Sequence, residues 1–387
     1  MAEEHVQKLS PAQVLERLSD GDPETKRFIF EDLLKDRARE YCKIGYKPAD
    51  MLPLLMAENN RAGKILNLQQ IKRLAVQTIA EEREQLKPGS LGLTPLEGSV
   101  RQLKDEVSGW GSSFNFEFGI HALDEAFGGV VPGETLVVVG AQGSMKTSLL
   151  LNGIEHYIKT VQEAKVLMFS LDMPARVTTG RLLCRRLKVN EKQLWRYLND
   201  RDEEYLSAEK ALIRDLGHSL ILKENRVGRR YTIDMVRREI ELEMPTLVAI
   251  DYLTKLKRRN QSDLDCVAEC MPDLVEMAAE YGIQMVLLSQ MSRSAKTAQA
   301  TGVATGGNAK GGGDVEDMAN SVIDLFRDYP DGPGNPPKII ATVSKTRRGI
   351  SGKTFALGYW GLWMEFDGSA KTAERDKERK PLFKVDF

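Results

Sequence analysis

From Phe116 onward, short apolar runs rich in branched side chains alternate with helical stretches. The runs are TLVVVG, AKVLMFSLDM, TLVAIDYL, IQMVLLSQ and KIIATVSK. Segments this apolar have no face to leave in water, so they imply a parallel sheet covered by helices on both sides. In such a sheet the working groups collect where strands end at their carboxyl edge. Here those ends carry a glycine-rich loop, Asp172, Asp251, Gln290 and Lys345.

The loop reads GAQGSMKTS over residues 140–148 and joins a β-rich run to the helical pattern SLLLNGIEHYIKTV. A phosphate-binding loop has the form G-x-x-x-x-G-K-[ST]. Gly140, Lys146 and Thr147 keep that spacing, Gly143 adds flexibility, and Met145 stands where a glycine is usual. The backbone N–H groups of such a loop must point inward to hold phosphates. Gly140, Gly143, Ser144, Met145, Lys146, Thr147 and Ser148 are therefore the candidate nucleotide-binding residues. Met145 still supplies its N–H, although its side chain restricts a backbone that glycine would leave free. Lys146 would reach the β- and γ-phosphates of ATP, and Thr147 would ligate Mg²⁺. The alternative is an ordinary strand-to-helix turn.

The remaining strand ends each have two readings. Asp251 closes LVAID, a buried run that would deliver one carboxylate to the Mg²⁺ shell. Asp172 would orient or deprotonate the attacking water, or else serve as the N-cap of the helix that follows Met173-Pro174. Gln290 would sense the γ-phosphate, or is simply a polar strand end. Lys345 and Arg347 in VSKTRRG would bring positive charge to a transition state, or form a solvated basic turn.

Composition sets limits on the rest. The chain has 387 residues, 42% hydrophobic and 29% charged, which fits a soluble globular protein with more than one domain. Lys+Arg 55 against Asp+Glu 56 leaves almost no net charge, so any nucleic-acid surface must be a local patch. No apolar stretch is long enough to span a bilayer and there is no signal-peptide core, so a cytoplasmic setting and no membrane contact are expected. The cysteines are Cys42, Cys184, Cys266 and Cys270. The last pair has i,i+4 helical spacing and reads as core thiols rather than a metal site.

Residues 1–90 show helical patterns and no strand pattern. Ser10-Pro11 and Asp22-Pro23 are helix starts, and Leu68, Ile71, Ala75 and Ile79 share one helix face. This predicts a small all-α domain of at least four helices. Part of it also reads as a helix-turn-helix, an arrangement common in any helical domain. Residues 91–115 form a linker, 116–366 the α/β domain, and 367–387 a charged tail ending in phenylalanine.

The motifs in order resemble one family. FGIHALDEAFGGVVPGE resembles the lead-in to the phosphate loop in DnaB-type replicative helicases, members of the RecA/KaiC-like ATPases. VLMFSLDMPARVTTGRLLCRRL resembles that family's F-S-L-E-M followed by R-L-L. AIDYLTKL resembles D-Y-L-Q-L, LLSQMSR resembles A-L-S-Q-L-S-R, and SKTRRG resembles K-x-R-x-G. The resemblance implies a RecA-like core and an ATP-driven helicase acting on single-stranded DNA as a ring, usually a hexamer. It assigns Asp172 to the catalytic acid, Arg181 to packing on the base, and Gln290 to the γ-phosphate sensor. Lys345 and Arg347 would act on ATP held by the neighbouring subunit. Lys310, Gly311, Gly312 and Gly313 match the loop that grips DNA in the channel. By charge alone, Lys257-Arg258-Arg259 would add phosphate contacts or form a solvated loop. Two departures lie at the site: Met145 for glycine, and Asp172 for a glutamate one methylene longer. The N-terminal region does not resemble the family's usual one. Loader, primase or polymerase contacts through it or the tail are therefore an expectation of the family only. The alternative function is a RecA/KaiC-like ATPase that switches assembly or partner binding without unwinding.

Overall fold

The computed structural model describes residues 23–44, 48–83, 115–200, 202–226, 230–256, 263–291, 317–328 and 338–372. Chain contacts divide into two compact units near residue 114. Lys310–Gly313, Lys257–Arg259, the Ser10-Pro11 helix start and the tail from residue 373 lie outside the described residues.

The first unit is helical among its described residues, as expected. It contains α1 (Pro23–Ile44), α2 (Pro48–Arg61) and α3 (Leu68–Arg83). Phe30, Leu34, Ala38 and Cys42 recur every fourth residue along α1, which puts them on one stripe. That stripe is buried with Met51, Leu52 and Leu55 of α2 and with Leu68, Ile71, Leu74 and Ala75 of α3. Asn59 closes the turn between α2 and α3, donating from Nδ2 to Leu66 O and accepting the Leu66 N–H at 2.9 Å. Asn67 and Gln70 then exchange side-chain-to-backbone bonds in a capping box. The connectivity is that of a helix-turn-helix. Lys72, a basic residue of its second helix, is nevertheless only 2% exposed and turned into the unit's interior.

The second unit carries a nine-stranded sheet in the order β3-β2-β4-β5-β1-β6-β7-β8-β9. Its strands are β1 (Thr135–Gly140), β2 (Val166–Ser170), β3 (Leu220–Glu224), β4 (Leu247–Asp251), β5 (Gln284–Gln290), β6 (Ser321–Asp328), β7 (Lys338–Lys345), β8 (Thr354–Trp360) and β9 (Glu365–Thr372). From β3 to β6 every neighbouring pair is parallel. The helices are α4 (His121–Phe127), α5 (Lys146–Thr160), α6 (Ala175–Leu187), α7 (Glu191–Asp200), α8 (Glu203–Leu216), α9 (Ile233–Glu243) and α10 (Asp263–Tyr281). All residues of β1, β2 and β4 are buried, as their unbroken apolar runs require. This is the mostly parallel, helix-flanked sheet the sequence predicts.

KIIATVSK departs from the parallel pattern. As β7 it pairs antiparallel with β6, and β8 and β9 extend the sheet in the same manner. Residues 329–337 alone separate β6 from β7 in the sequence, fewer than the dozen or so that a parallel crossover needs, so the chain returns antiparallel. The sheet also continues to Thr372, past residue 366. Cys42, Cys184 and Cys270 form no disulfide and are buried, in line with core thiols. No helix among the described residues is long and apolar enough to cross a membrane.

Asp124 on α4 secures the entry to this unit. Its carboxylate accepts the Phe118 N–H at 2.8 Å and the Ile120 N–H at 2.7 Å. Burial pushes its pKa up to about 7, against the pull of those two donors. Asp124→Ala strands both N–H groups in the interior. The expected loss is about 3 kcal/mol of stability, read as a fall in the urea midpoint of the full chain.

Candidate nucleotide site

Strand register brings the predicted residues to one edge of the sheet. Gly140 is level with Gln290, and Ser170 with Asp251. A cavity of about 560 Å³ opens there, and Ser144, Lys146, Thr147, Asp172, Arg181, Asp251 and Gln290 are among its lining residues. Gly140 closes β1 where the chain must turn sharply. A Cβ there would stand 2.3 Å from Ser144 Oγ and 2.7 Å from Leu325 O, so only glycine fits.

Met145 begins α5 in the left-handed region, at φ 68°. That backbone costs about 1–2 kcal/mol for a residue with a side chain. The loop accepts it because Met145 is held from the far side of the pocket: the Tyr359 hydroxyl donates to its Sδ at 3.0 Å. The methionine thus keeps the helix-start geometry that the usual glycine would allow freely.

Lys146 is 9% exposed, and its Nζ donates to Gly140 O at 2.7 Å and to Ala141 O at 2.9 Å. The Thr147 hydroxyl donates to Asp251 Oδ2 at 2.7 Å. Asp251 is itself buried, and that burial pushes its carboxyl above the usual range; the Thr147 bond and the Lys146 charge pull it back down. A hydroxyl and a carboxylate side by side form an all-oxygen donor pair, which suits a hard cation such as Mg²⁺ better than a soft metal. Among the described residues no group of three or more His, Cys, Asp or Glu forms a metal-holding cluster of its own. A cation here would need oxygens from a phosphate as well, as Mg²⁺ in phosphoryl-transfer sites does.

The competing N-cap reading of Asp172 does not hold. The Ala175 N–H at the start of α6 donates to Glu224, and Pro174 holds the cap position without a side-chain bond. Asp172 instead donates its N–H to Asp251 O and pairs its carboxylate with Lys255 Nζ at 3.0 Å. That bond raises the Lys255 pKa, so the ammonium stays charged.

Lys345 and Arg347 are not among the residues lining this cavity. Lys345 Nζ donates to Asp317 O at 2.7 Å. Arg347 is exposed on a turn pinned to the end of α4. There the Thr346 hydroxyl donates to Phe127 O, the Ile350 N–H donates to Ala126 O, and Arg348 Nε pairs with Glu134. Gly349 packs so close that a Cβ would lie 2.0 Å from Ala126 O. Sequence reasoning missed Arg327, Tyr359, Tyr252 and Met364, which also line the cavity. Arg327 and Tyr359 come from β6 and β8, strands with no local motif to flag them.

A parallel sheet with a phosphate loop after its central strand, and a buried carboxylate on a neighbouring strand end, defines a RecA-like P-loop nucleotide-binding protein. Residues 116–367 match the model of the DnaB-like helicase C terminal domain, and the chain belongs to that family. The replicative DNA helicase DnaB of Buchnera aphidicola subsp. Schizaphis graminum is 27% identical over 262 residues, which are 64% of this chain and 54% of that protein. The match thus spans about half the length of that relative. The Haemophilus influenzae DnaB is 22% identical over 377 residues, 93% of this chain and 78% of its own. Two solved structures share the fold. One is an ATPase domain, with a TM-score of 0.60 at 18% identity, covering 70% of this chain and 98% of that one. The other is the structure of a DnaB-like replicative helicase and its interactions with primase. It has a TM-score of 0.58 at 18% identity, covering 90% of this chain and 81% of that one.

Proposed function

We propose that this protein is an ATP-driven DnaB-type helicase that moves along single-stranded DNA as a ring-shaped oligomer, a hexamer by family analogy. The observation that carries the reading is a division of labour within one chain. Phosphate- and metal-side groups converge on one cavity, while the exposed Arg347 stands outside its lining. A charge carried on an anchored turn away from its own pocket suits action on a nucleotide bound by the next subunit.

In this reading Lys146 and the loop N–H groups bind the β- and γ-phosphates, and Arg181 packs on the base. Thr147 and Asp251 hold Mg²⁺, which when bound neutralises charge on the phosphate oxygens. Asp172 takes the proton of the attacking water, and Gln290 registers the γ-phosphate. Lys345 and Arg347 of a neighbour stabilise the transition state. The working layout is a helical domain (1–90), a linker (91–115), the ATPase domain (116–366) and a charged tail (367–387). The helical domain or the tail would meet a loader, primase or polymerase, in the cytoplasm.

The DNA grip falls to Lys310 and Gly311, Gly312 and Gly313. Glycines let the backbone approach a phosphate chain, and one lysine per subunit adds charge without reading sequence. A ring of such loops would supply about six phosphate contacts, so binding should weaken steeply with salt. Lys310→Ala is expected to weaken single-stranded DNA binding and remove DNA stimulation of the ATPase, with basal hydrolysis near normal. A forked-DNA unwinding assay with ATP tests the whole reading. The shorter acid at Asp172 favours a second reading, a nucleotide-dependent assembly switch. Failure to bind single-stranded DNA in the presence of an ATP analogue would replace the helicase reading with that one.

A further inference from the structure

Asp172 reaches the cavity on a short side chain. Its main chain is fixed, since its N–H bonds to Asp251 O at 3.3 Å. Its carboxylate is 40% exposed. A half-exposed carboxylate on two rotatable bonds samples several directions unless something holds it. Lys255 is placed to do so, with Nζ 3.0 Å from Asp172 Oδ1.

Lys255 is itself held. It ends the single 3₁₀ turn Leu253–Lys255 that follows β4, and Leu253 and Thr254 of that turn are buried. Its N–H donates to Tyr252 O at 3.0 Å, and its ammonium lies 5.4 Å from the centre of the Tyr252 ring. The turn, the ring and Asp251 all belong to one continuous segment. The ammonium therefore moves with the metal-side carboxylate, and Asp172 is tied to the same frame at both its backbone and its side chain.

We propose that Lys255 is a positioning residue for hydrolysis, holding Asp172 by Oδ1, beside a bond from the Tyr252 hydroxyl, so that the carboxylate is oriented to accept the proton of the attacking water. The inference rests on the reading of Asp172 given under Proposed function. In that step the water oxygen bonds to the γ-phosphorus while its proton passes to the Asp172 carboxylate. The bond to the β–γ bridging oxygen breaks, and its electron pair leaves on ADP. A misplacement of about 1 Å at such a group costs about 100-fold in rate. An ion pair this exposed adds little to stability. The effect of Lys255 should therefore appear in turnover and not in melting.

The test compares Lys255→Met, Lys255→Arg, Asp172→Asn and the Lys255→Met/Asp172→Asn pair in the full chain. Each is read by steady-state ATP hydrolysis, single-turnover hydrolysis, nucleotide binding and melting temperature. Lys255→Met should lower kcat about tenfold with KM and binding within about twofold, because orientation and not affinity is lost. Lys255→Arg should restore most of the rate. In the Asp172→Asn background, Lys255→Met should cost nothing further. Unchanged or faster turnover in Lys255→Met overturns the proposal, as does an equal loss in the Asp172→Asn background. Wild-type turnover in Asp172→Asn alone would instead remove Asp172 from the chemistry, a failure of the underlying reading that the single variant identifies by itself.

Discussion

Lys146→Ala is expected to lower ATP hydrolysis by about 100- to 1,000-fold, since it removes the subunit's own loop charge from the phosphates where negative charge develops. Triphosphate binding should weaken strongly in the same variant. The ammonium sits almost out of water at the mouth of the loop, held by the Gly140 and Ala141 carbonyls. A bound phosphate there would lose its counter-charge where solvent cannot replace it. Phosphate release measured beside equilibrium nucleotide binding checks this. Turnover equal to the wild type would sink the phosphate-loop reading, whatever the fate of the DNA-binding proposal.

Arg347→Ala should fold, bind nucleotide normally and hydrolyse it about 1,000-fold more slowly, as loss of an arginine acting in trans implies. Mixing it with Lys146→Ala provides the stronger test. At equal proportions, chance assembly gives roughly a quarter of interfaces one intact loop and one intact arginine. The mixture should therefore recover activity that neither variant has alone. Two readouts are needed, ATPase rate and oligomeric state by light scattering. A monomer with full activity at high dilution would contradict the arrangement.

The sheet was legible because its central strands are buried on both faces. Their unbroken apolar runs, LVVV, VLMF, LVAI and MVLL, have no other physical use. The strands beyond β6 were harder to see. β8 buries only alternate residues and β9 is mostly polar, so neither stands out from a surface segment. The same asymmetry runs through the site. Lys146, Thr147 and Asp251 belong to motifs whose spacing carries their chemistry, and the fold brings them together in one cavity. Arg327 and Tyr359 enter the cavity by tertiary pairing alone. The question of whether Asp172 caps a helix was also beyond local reasoning. Glu224, 49 residues away from Ala175 in sequence, takes that job.

Within the turn that carries Arg347, the Arg348 and Gly349 N–H groups donate to Thr346 Oγ1, but its outer support comes from a neighbouring helix. Thr346 and Ile350 hang it from the last carbonyls of α4, and α4 is in turn anchored by the Asp124 carboxylate. On the proposed arrangement, damage to this mount would leave intact the nucleotide pocket of the subunit that carries it. That subunit would keep its own phosphate loop, its own metal-side pair and its own bound ATP. The subunit beside it would fall idle, with every residue of its pocket intact. In a mixed ring, lesions at Asp124 or Gly349 would therefore behave as dominant ones, each disabling a site it does not belong to.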